Sequence, residues 1–230
     1  LASGIASIAA LLPNKPAKYR FCDFQSSDYR GLLGGELFEE TEENPMIGMR
    51  GVTRLLTAKF GPALELEFEA IKKAREIGLS NIELMVGFCR TPEDGEAIKK
   101  RITSAGLGDL RIGMMAEIHS NYLQADEFAD IFDFFLVGPR DLTQTAYAAD
   151  RTNTALAKYG PDGKAPMKAV MTLLRNLEGR EKDILIGSYA LFQHLPEYLK
   201  VRSNNRLHFA ELPDRIIEGM KSLCKLEERL

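Results

Sequence analysis

The sequence has no tryptophan, only three cysteines, and no run approaching the ~18 uninterrupted apolar residues that a membrane-spanning helix needs. Cys22, Cys89 and Cys224 are odd in number, widely spaced and form no CxxC pair. A disulfide framework is therefore not expected, and free thiols in a reducing, cytoplasmic compartment are. Nor is positive charge in excess: 30 Lys and Arg stand against 33 Asp and Glu, a formal net charge of -3, with the two signs interspersed. Neither nucleic acid nor an anionic membrane is an expected partner, so any recognition of a phosphate or carboxylate has to be local. A glycine-rich phosphate loop is also missing, because Gly34-Gly35 is too short and Gly31 adds no phosphate-loop spacing. Low-complexity segments, internal repeats and interdomain linkers do not stand out.

What is present suits one large single-core domain over residues 1–230, with 45% hydrophobic and 27% charged residues. The opening "LASGIASIAALL" has no basic region ahead of it and reads, through residue 13, as an amphipathic helix with Ile5, Ile8 and Leu12 on one side rather than as a signal peptide. Starting at a leucine, the chain reads as a piece of something longer. "AKYRFCD" follows as a strand, "QSSDYRGLLGG" as a loop, and "NPMIGMRG" as a short buried strand framed by Pro45 and Gly51. A helix then starts near Pro62, gathers Leu64, Phe68 and Ile71 on one face, and stops at Gly78. "NIELMVGF" is a continuous apolar run of strand length. "TPED" is a capping box that opens a helix ending near "SAGLG".

Further on, the spacing predicts a strand at "RIGMMAEI", a helix at "YLQADEFADIF", a strand at "FFLVG" and a polar excursion at "PRDLTQTAYAAD". A helix at "APMKAVMTLLRNL", a strand at "DILIGSYA", a short helix at "LPEYLKV" and a strand at "RLHFAEL" come next. A closing helix carries Ile216, Ile217, Met220 and Leu223 inward. Seven strands of continuous rather than alternating apolarity, separated by helices, argue for a parallel α/β sheet covered on both faces. The architecture expected is a TIM-type (β/α)8 barrel with one strand, the first, unaccounted for; a doubly wound sheet is the alternative.

In such a barrel the chemistry sits where strands end. "IGMMAEIHSN" runs a buried strand straight into Glu117. Arg20 and Asp23 bracket the end of the first strand, Arg50 closes "NPMIGMRG", and Asp141 follows "FFLVG" after two residues. Two arginines and two acids at one mouth suit a small phospho-acid, dicarboxylate or keto acid held on a divalent cation. Guanidinium forks grip oxyanions bidentately, and carboxylate oxygens are the hard ligands Mg²⁺ prefers. The competing readings are helix capping for Glu117 and Asp141, and a structural ion pair for each arginine.

These residues stand in stretches that resemble a known family. "KYRFCDFQSSDYRGLLGGELFE", "EENPMIGMRG", "NIELMVGFCRTPEDGEAIKK", "MMAEIHSNYLQADEFADIFDFF" and "VGPRDLTQ" are similar, in this order, to the C-terminal phosphoenolpyruvate/pyruvate-binding barrel of the phosphoenolpyruvate synthase (pyruvate, water dikinase) family. The resemblance implies Mg²⁺ on Glu117 and Asp141. It also implies substrate contacts from Arg20, Arg50, Gly138 and the position of Arg140, with phosphoenolpyruvate (PEP), pyruvate or a similar keto acid as ligand. ATP-binding and phosphohistidine domains are implied elsewhere, the missing strand upstream, and pairing of two barrels as a homodimer.

Three positions depart from the family pattern. Ile186 stands where the family has its proton-transferring cysteine, and isoleucine cannot transfer a proton. Pro139-Arg140 replaces a Ser-Asn pair, so Arg140 either neutralises Asp141 or adds a third grip on an anion. His119 replaces a proline and is either an acid or base or a loop histidine held by backbone hydrogen bonds. His194 and His208, on a predicted helix and strand, lack the surroundings of a phosphohistidine. The functional expectation is a PEP synthase-like phosphotransferase domain, incomplete on its own, with a degenerate catalytic position. A ligand-binding pseudoenzyme or scaffold, and a metal-dependent keto-acid aldolase or lyase on the same scaffold, are the alternatives.

Overall fold

The structure is a computed structural model that describes residues 1–187, 198 and 205–210. The predicted short helix at "LPEYLKV", the closing helix, His194 and Cys224 lie outside the described residues, Tyr198 excepted. The fold is mixed α/β, and the strands pair in parallel: β1 (Ala17–Arg20) with β2 (Ile82–Val86), β2 with β3 (Ile112–Ala116), β4 (Phe134–Val137) with β5 (Asp183–Gly187), and β5 with β6 (Arg206–Ala210). Six of the seven expected strands are thus found. No helix among the described residues is long and apolar enough to cross a membrane. Two compact units divide the chain, Leu1–Met114 and Met115–Leu230.

In the first unit, α1 (Ala2–Leu11) buries Ile5 and Ala9, while Ile8, expected inward, is 60% exposed. Asn81 ties this helix down, its amide nitrogen donating to the carbonyls of Ala9, Leu12 and Lys15. α4 (Gly61–Glu76) has proline in its first turn and buries Leu64, Phe68 and Ile71, as the spacing predicts. It ends before Gly78, whose φ of +94° only glycine adopts without strain. Thr91 caps α5 (Pro92–Ile102), its side chain accepting from the Asp94 amide. Both β2 and β3 are buried along their whole length, which is why they read as unbroken apolar runs. Glu83 interrupts β2, and Lys18 of β1 and Arg111 both pair with it.

"NPMIGMRG" is not a strand. Residues 45–49 form turns, with Ile47 61% exposed, before α3 (Gly51–Leu55). Pro45 has no N–H to give a ladder, and Gly51 has φ +59°, so the segment turns where its apolar content suggested extension. α2 (Ser26–Arg30) precedes it, with the Gln25 amide donating to Asp28.

In the second unit, the predicted helix at "YLQADEFADIF" is split into α6 (His119–Leu123) and α7 (Ala125–Ile131). The predicted polar excursion is α8 (Pro139–Tyr147), a helix that starts at its proline and ends at Ala148 in the left-handed region. Its polar composition misled because Asp141, Thr143 and Gln144 face inward and are buried. α9 (Lys164–Asn176) buries Val170, Leu173 and Leu174.

Candidate functional site

At the carboxyl end of β1, Arg20 is exposed and makes no ion pair among the described residues. Three residues on, Asp23 is buried and engaged. Arg50 donates Nε to Asp23 Oδ1 at 3.1 Å and Nη2 to Oδ2 at 2.7 Å, a bidentate pair whose two side chains are 4% and 2% exposed. A third Arg50 bond runs from Nη1 to the Met46 carbonyl. Gly87 makes room for this pair, since a Cβ there would stand 2.9 Å from Asp23 Oδ2.

The turn after β2 completes the setting of Arg50. The Cζ of Arg50 lies 4.3 Å from the Phe88 ring centroid and that of Arg90 4.8 Å from it. Phe88 has φ +49°, a left-handed backbone for a bulky residue. Sequence reasoning passed over Phe88 and Arg90. A "GFCRT" turn after a buried strand was the available signal.

Below this level, Tyr19 donates its hydroxyl to Glu67, and the Cys22 amide donates to the same Glu67 oxygen at 3.2 Å. Burial raises the Glu67 pKa, against those two hydrogen bonds, which lower it. The Tyr29 hydroxyl donates to Cys22 Sγ at 2.8 Å, and burial pushes both tyrosines well above their ordinary values. A cleft of about 540 Å³ opens nearby between Tyr29, Phe38, Phe60 and Glu40, but none of Arg20, Asp23 and Arg50 lines it.

In the second unit, Glu117 follows β3 and is 1% exposed. Asn121, itself fully buried, accepts from the amides of Glu117 and Ile118 through Oδ1 at 3.2 Å each, and the Tyr122 hydroxyl bonds the Ala116 carbonyl. These bonds fix where the strand stops. Gly138 packs directly on the Glu117 carboxylate: a Cβ there would lie 2.6 Å from Oε2. Because Gly138 is the N-cap of α8, Glu117 sits at the positive end of that helix, whose first turn holds the buried Asp141. Thr145 Oγ1 lies within hydrogen-bond distance of the Glu117 and Asp141 carbonyls, at 3.2 and 2.9 Å. Burial raises the Tyr122 pKa well above its ordinary value, and the charges of Glu117 and Asp141 raise it further.

Arg151, which the sequence did not bring forward, donates Nη1 to Asp141 Oδ2 at 3.0 Å. Arg140 is exposed and makes no ion pair among the described residues. Gln144, one turn beyond Asp141, buries both amide atoms without a hydrogen-bond partner among the described residues, a polar group that a ligand or water would complete. His119 is exposed as the first residue of α6. Ile186 lies within β5 and is fully buried. His208 contacts Asp183 at 3.1 Å on β6. No group of three or more His, Cys, Asp or Glu residues among the described residues forms a metal cluster. Glu117 and Asp141 carry oxygen donors of the kind Mg²⁺ takes, with Arg151 on one oxygen of Asp141.

A family model described as "PEP-utilising enzyme, PEP-binding domain" matches residues 1–187. Among curated proteins, the phosphoenolpyruvate synthase of Synechocystis sp. is 44% identical over 238 residues, covering 100% of this chain and 29% of the relative. That of Deinococcus radiodurans is 43% identical over 176 residues, covering 74% and 23%. That of Escherichia coli is 37% identical over 234 residues, covering 99% and 30%. The chain thus spans less than a third of the length of these relatives. By this match, and by the similarity of nearly its whole length to the Synechocystis and Escherichia coli synthases, the chain belongs to the PEP-binding domain family of PEP-utilising enzymes.

Proposed function

We propose that the chain is the PEP/pyruvate-binding domain of a PEP synthase-like phosphotransferase, closing as a TIM-type barrel and working in the cytoplasm. The observation that supports it most is the pair of buried carboxylates, Glu117 packed against Gly138 at the start of α8 and Asp141 in the first turn of that helix, paired with Arg151. Buried carboxylates call for compensating cations; Arg151 already supplies one at Asp141, and in this reading Mg²⁺ joins it. In this reading Glu117 and Asp141 hold Mg²⁺, which when bound supplies a Lewis acid for the carboxylate and enolate oxygens of the ligand. Gly138 leaves the space for the Glu117 carboxylate.

Arg20 and Arg50 grip the anion and face the charge that develops on it. Arg140 adds a further contact. Arg50 comes to this role already oriented by Asp23, which fixes the direction of its fork before a ligand arrives. Phosphoryl transfer requires ATP-binding and phosphohistidine domains outside this chain, and two such barrels pair as a homodimer.

A second reading rests on Ile186. A fully buried isoleucine at the position of the family cysteine offers no proton, so the site binds ligand without turning it over.

Isothermal titration with oxalate and with PEP, each with Mg²⁺ and with EDTA, tests the proposal alongside Glu117→Ala and Arg50→Ala. Metal-dependent binding lost in both variants supports it. A folded wild-type chain that binds neither ligand rules it out. Binding without turnover when the partner domains are supplied selects the second reading.

A further inference from the structure

We propose that Phe88 and Arg90 form a clamp that sets the orientation of the Arg50 guanidinium, and that the fork of Arg90, rather than its charge, governs how well Arg50 holds an anionic ligand. The inference rests on the reading of Arg50 as a ligand-gripping residue. Arg90 Nη1 donates to the Arg50 carbonyl at 3.3 Å and to Thr53 Oγ1 at 2.8 Å, while Nη2 donates to the carbonyls of Ile47, at 3.1 Å, and Gly48. One planar side chain therefore ties the backbone before Arg50 to the Arg50 carbonyl and to the Thr53 hydroxyl beyond it. All four acceptors are uncharged, so the bonds use the geometry of the guanidinium, while Asp94, Asp23 and Glu42 act on its charge only through space.

Phe88 supplies the surface between the two arginines. Both guanidinium carbons lie over its ring, and its left-handed backbone points that ring at them. A strained bulky residue persists only where its surroundings over-determine it. Here they do: the Val52 amide donates to the Gly87 carbonyl at 3.1 Å, and Gly51 approaches Gly87 and Phe88 more closely than any side chain would allow. Asp23 fixes the edge of the Arg50 guanidinium and Phe88 its face. Phe88 and Arg90 are in this account positioning residues, acting through Arg50.

Lysine separates geometry from charge, because it keeps the cation and loses both the fork and the planar stack. Arg90→Lys, Arg90→Gln and Phe88→Leu are compared with wild type by titration of oxalate and PEP in Mg²⁺. In parallel, the ¹⁵N-edited signal of the Arg50 Nε–H, assigned with Arg50→Lys, reports its orientation without any ligand. We expect Arg90→Lys and Phe88→Leu to weaken binding roughly tenfold, within the cost of misplacing a gripping group. The Arg50 signal, ring-shifted by Phe88 in the wild type, moves and exchanges faster in both variants, while circular dichroism stays unchanged.

Wild-type affinity and an unmoved signal in Arg90→Lys overturn the inference, as does equal binding by Arg90→Lys and wild type with only Arg90→Gln impaired. Should Arg90→Lys fail to fold, Phe88→Leu carries the same two readouts. If the wild type binds neither ligand, the reading of the site fails and the Arg50 signal alone decides. An unmoved signal in both variants then refutes the clamp, and a displaced one retains it as a device acting on Arg50.

Discussion

Replacing Gly51 with alanine perturbs the start of α3 in two separable ways. Its φ of +59° places an L side chain in the left-handed region, which costs about 1–2 kcal/mol. The added Cβ would then lie 2.4 Å from the Gly87 carbonyl oxygen and 2.5 Å from Phe88 Cβ, where ordinary contacts begin at 3.4 Å. Relieving that overlap moves the Gly87 peptide by about 1 Å, an overpacking cost of roughly 1–3 kcal/mol. The same movement breaks the bond from the Val52 amide to that carbonyl, worth about 1 kcal/mol. Together these amount to about 3–6 kcal/mol. For a chain of this size that lowers the midpoint of thermal unfolding by on the order of 10 °C.

Gly78→Ala is the control. Its φ is +94°, but nothing lies within 4 Å of the added Cβ, so only the backbone cost applies. Differential scanning calorimetry and urea unfolding of the two variants side by side measure the difference. If Gly51→Ala costs no more than Gly78→Ala, the close approach of α3 to the turn after β2 is not what requires glycine.

Asp23→Asn removes the charge from a buried bidentate pair and leaves Arg50 with a partial partner, so a loss of about 3–5 kcal/mol is expected in urea unfolding, the usual result of breaking such a pair from one side; a loss under 1 kcal/mol would contradict the pairing. Glu67 gives a pH dependence of defined sign. Burial raises its pKa above the ordinary 4.5, so the folded chain keeps a proton that the unfolded chain has released, and stability falls as pH rises from 4.5 through the folded pKa. Glu67→Gln keeps an oxygen for the Tyr19 and Cys22 donors and should flatten that part of the profile; thermal unfolding across the acidic to neutral range that keeps its slope in the variant refutes the assignment. Cys89 is fully buried and its pKa is pushed up by that burial. Peptide-resolved iodoacetamide labelling of the native chain should therefore spare Cys89 and modify the half-buried Cys22, and equal labelling of the two would count against the packing described.

Legibility followed the range of the forces involved. β2 and β3 were readable because both are buried on every residue, and burial alone writes a continuous apolar run. The ends of α4 and α5 were readable because Pro62, Gly78 and Thr91 act on their own turns. "NPMIGMRG" was not, since its shape is held by Arg90, some forty positions away, reaching the Ile47, Gly48 and Arg50 carbonyls. α8 escaped notice because its inward face is polar. Among the candidate site residues, Arg20, Arg50, Glu117 and Asp141 were singled out from strand-end position and family motif; Arg50, Glu117 and Asp141 are buried and Arg20 is exposed. Asp23 was noticed as a bracketing acid. Its pairing with Arg50, and that of Arg151 with Asp141, depend on tertiary approach that spacing does not encode.

The Asn81 amide has a consequence for how this unit could be excised or grafted. Its nitrogen gathers three carbonyls from the turn that ends α1, so the first fifteen residues are fastened to the entrance of β2 rather than trailing from β1. A version trimmed to begin at Pro16 would strip that amide of its acceptors and uncover the wall against which Ile5 and Ala9 pack. The working boundary of the module therefore lies ahead of α1, and a recombinant design that treats the helix as a dispensable leader would be cutting through the fold.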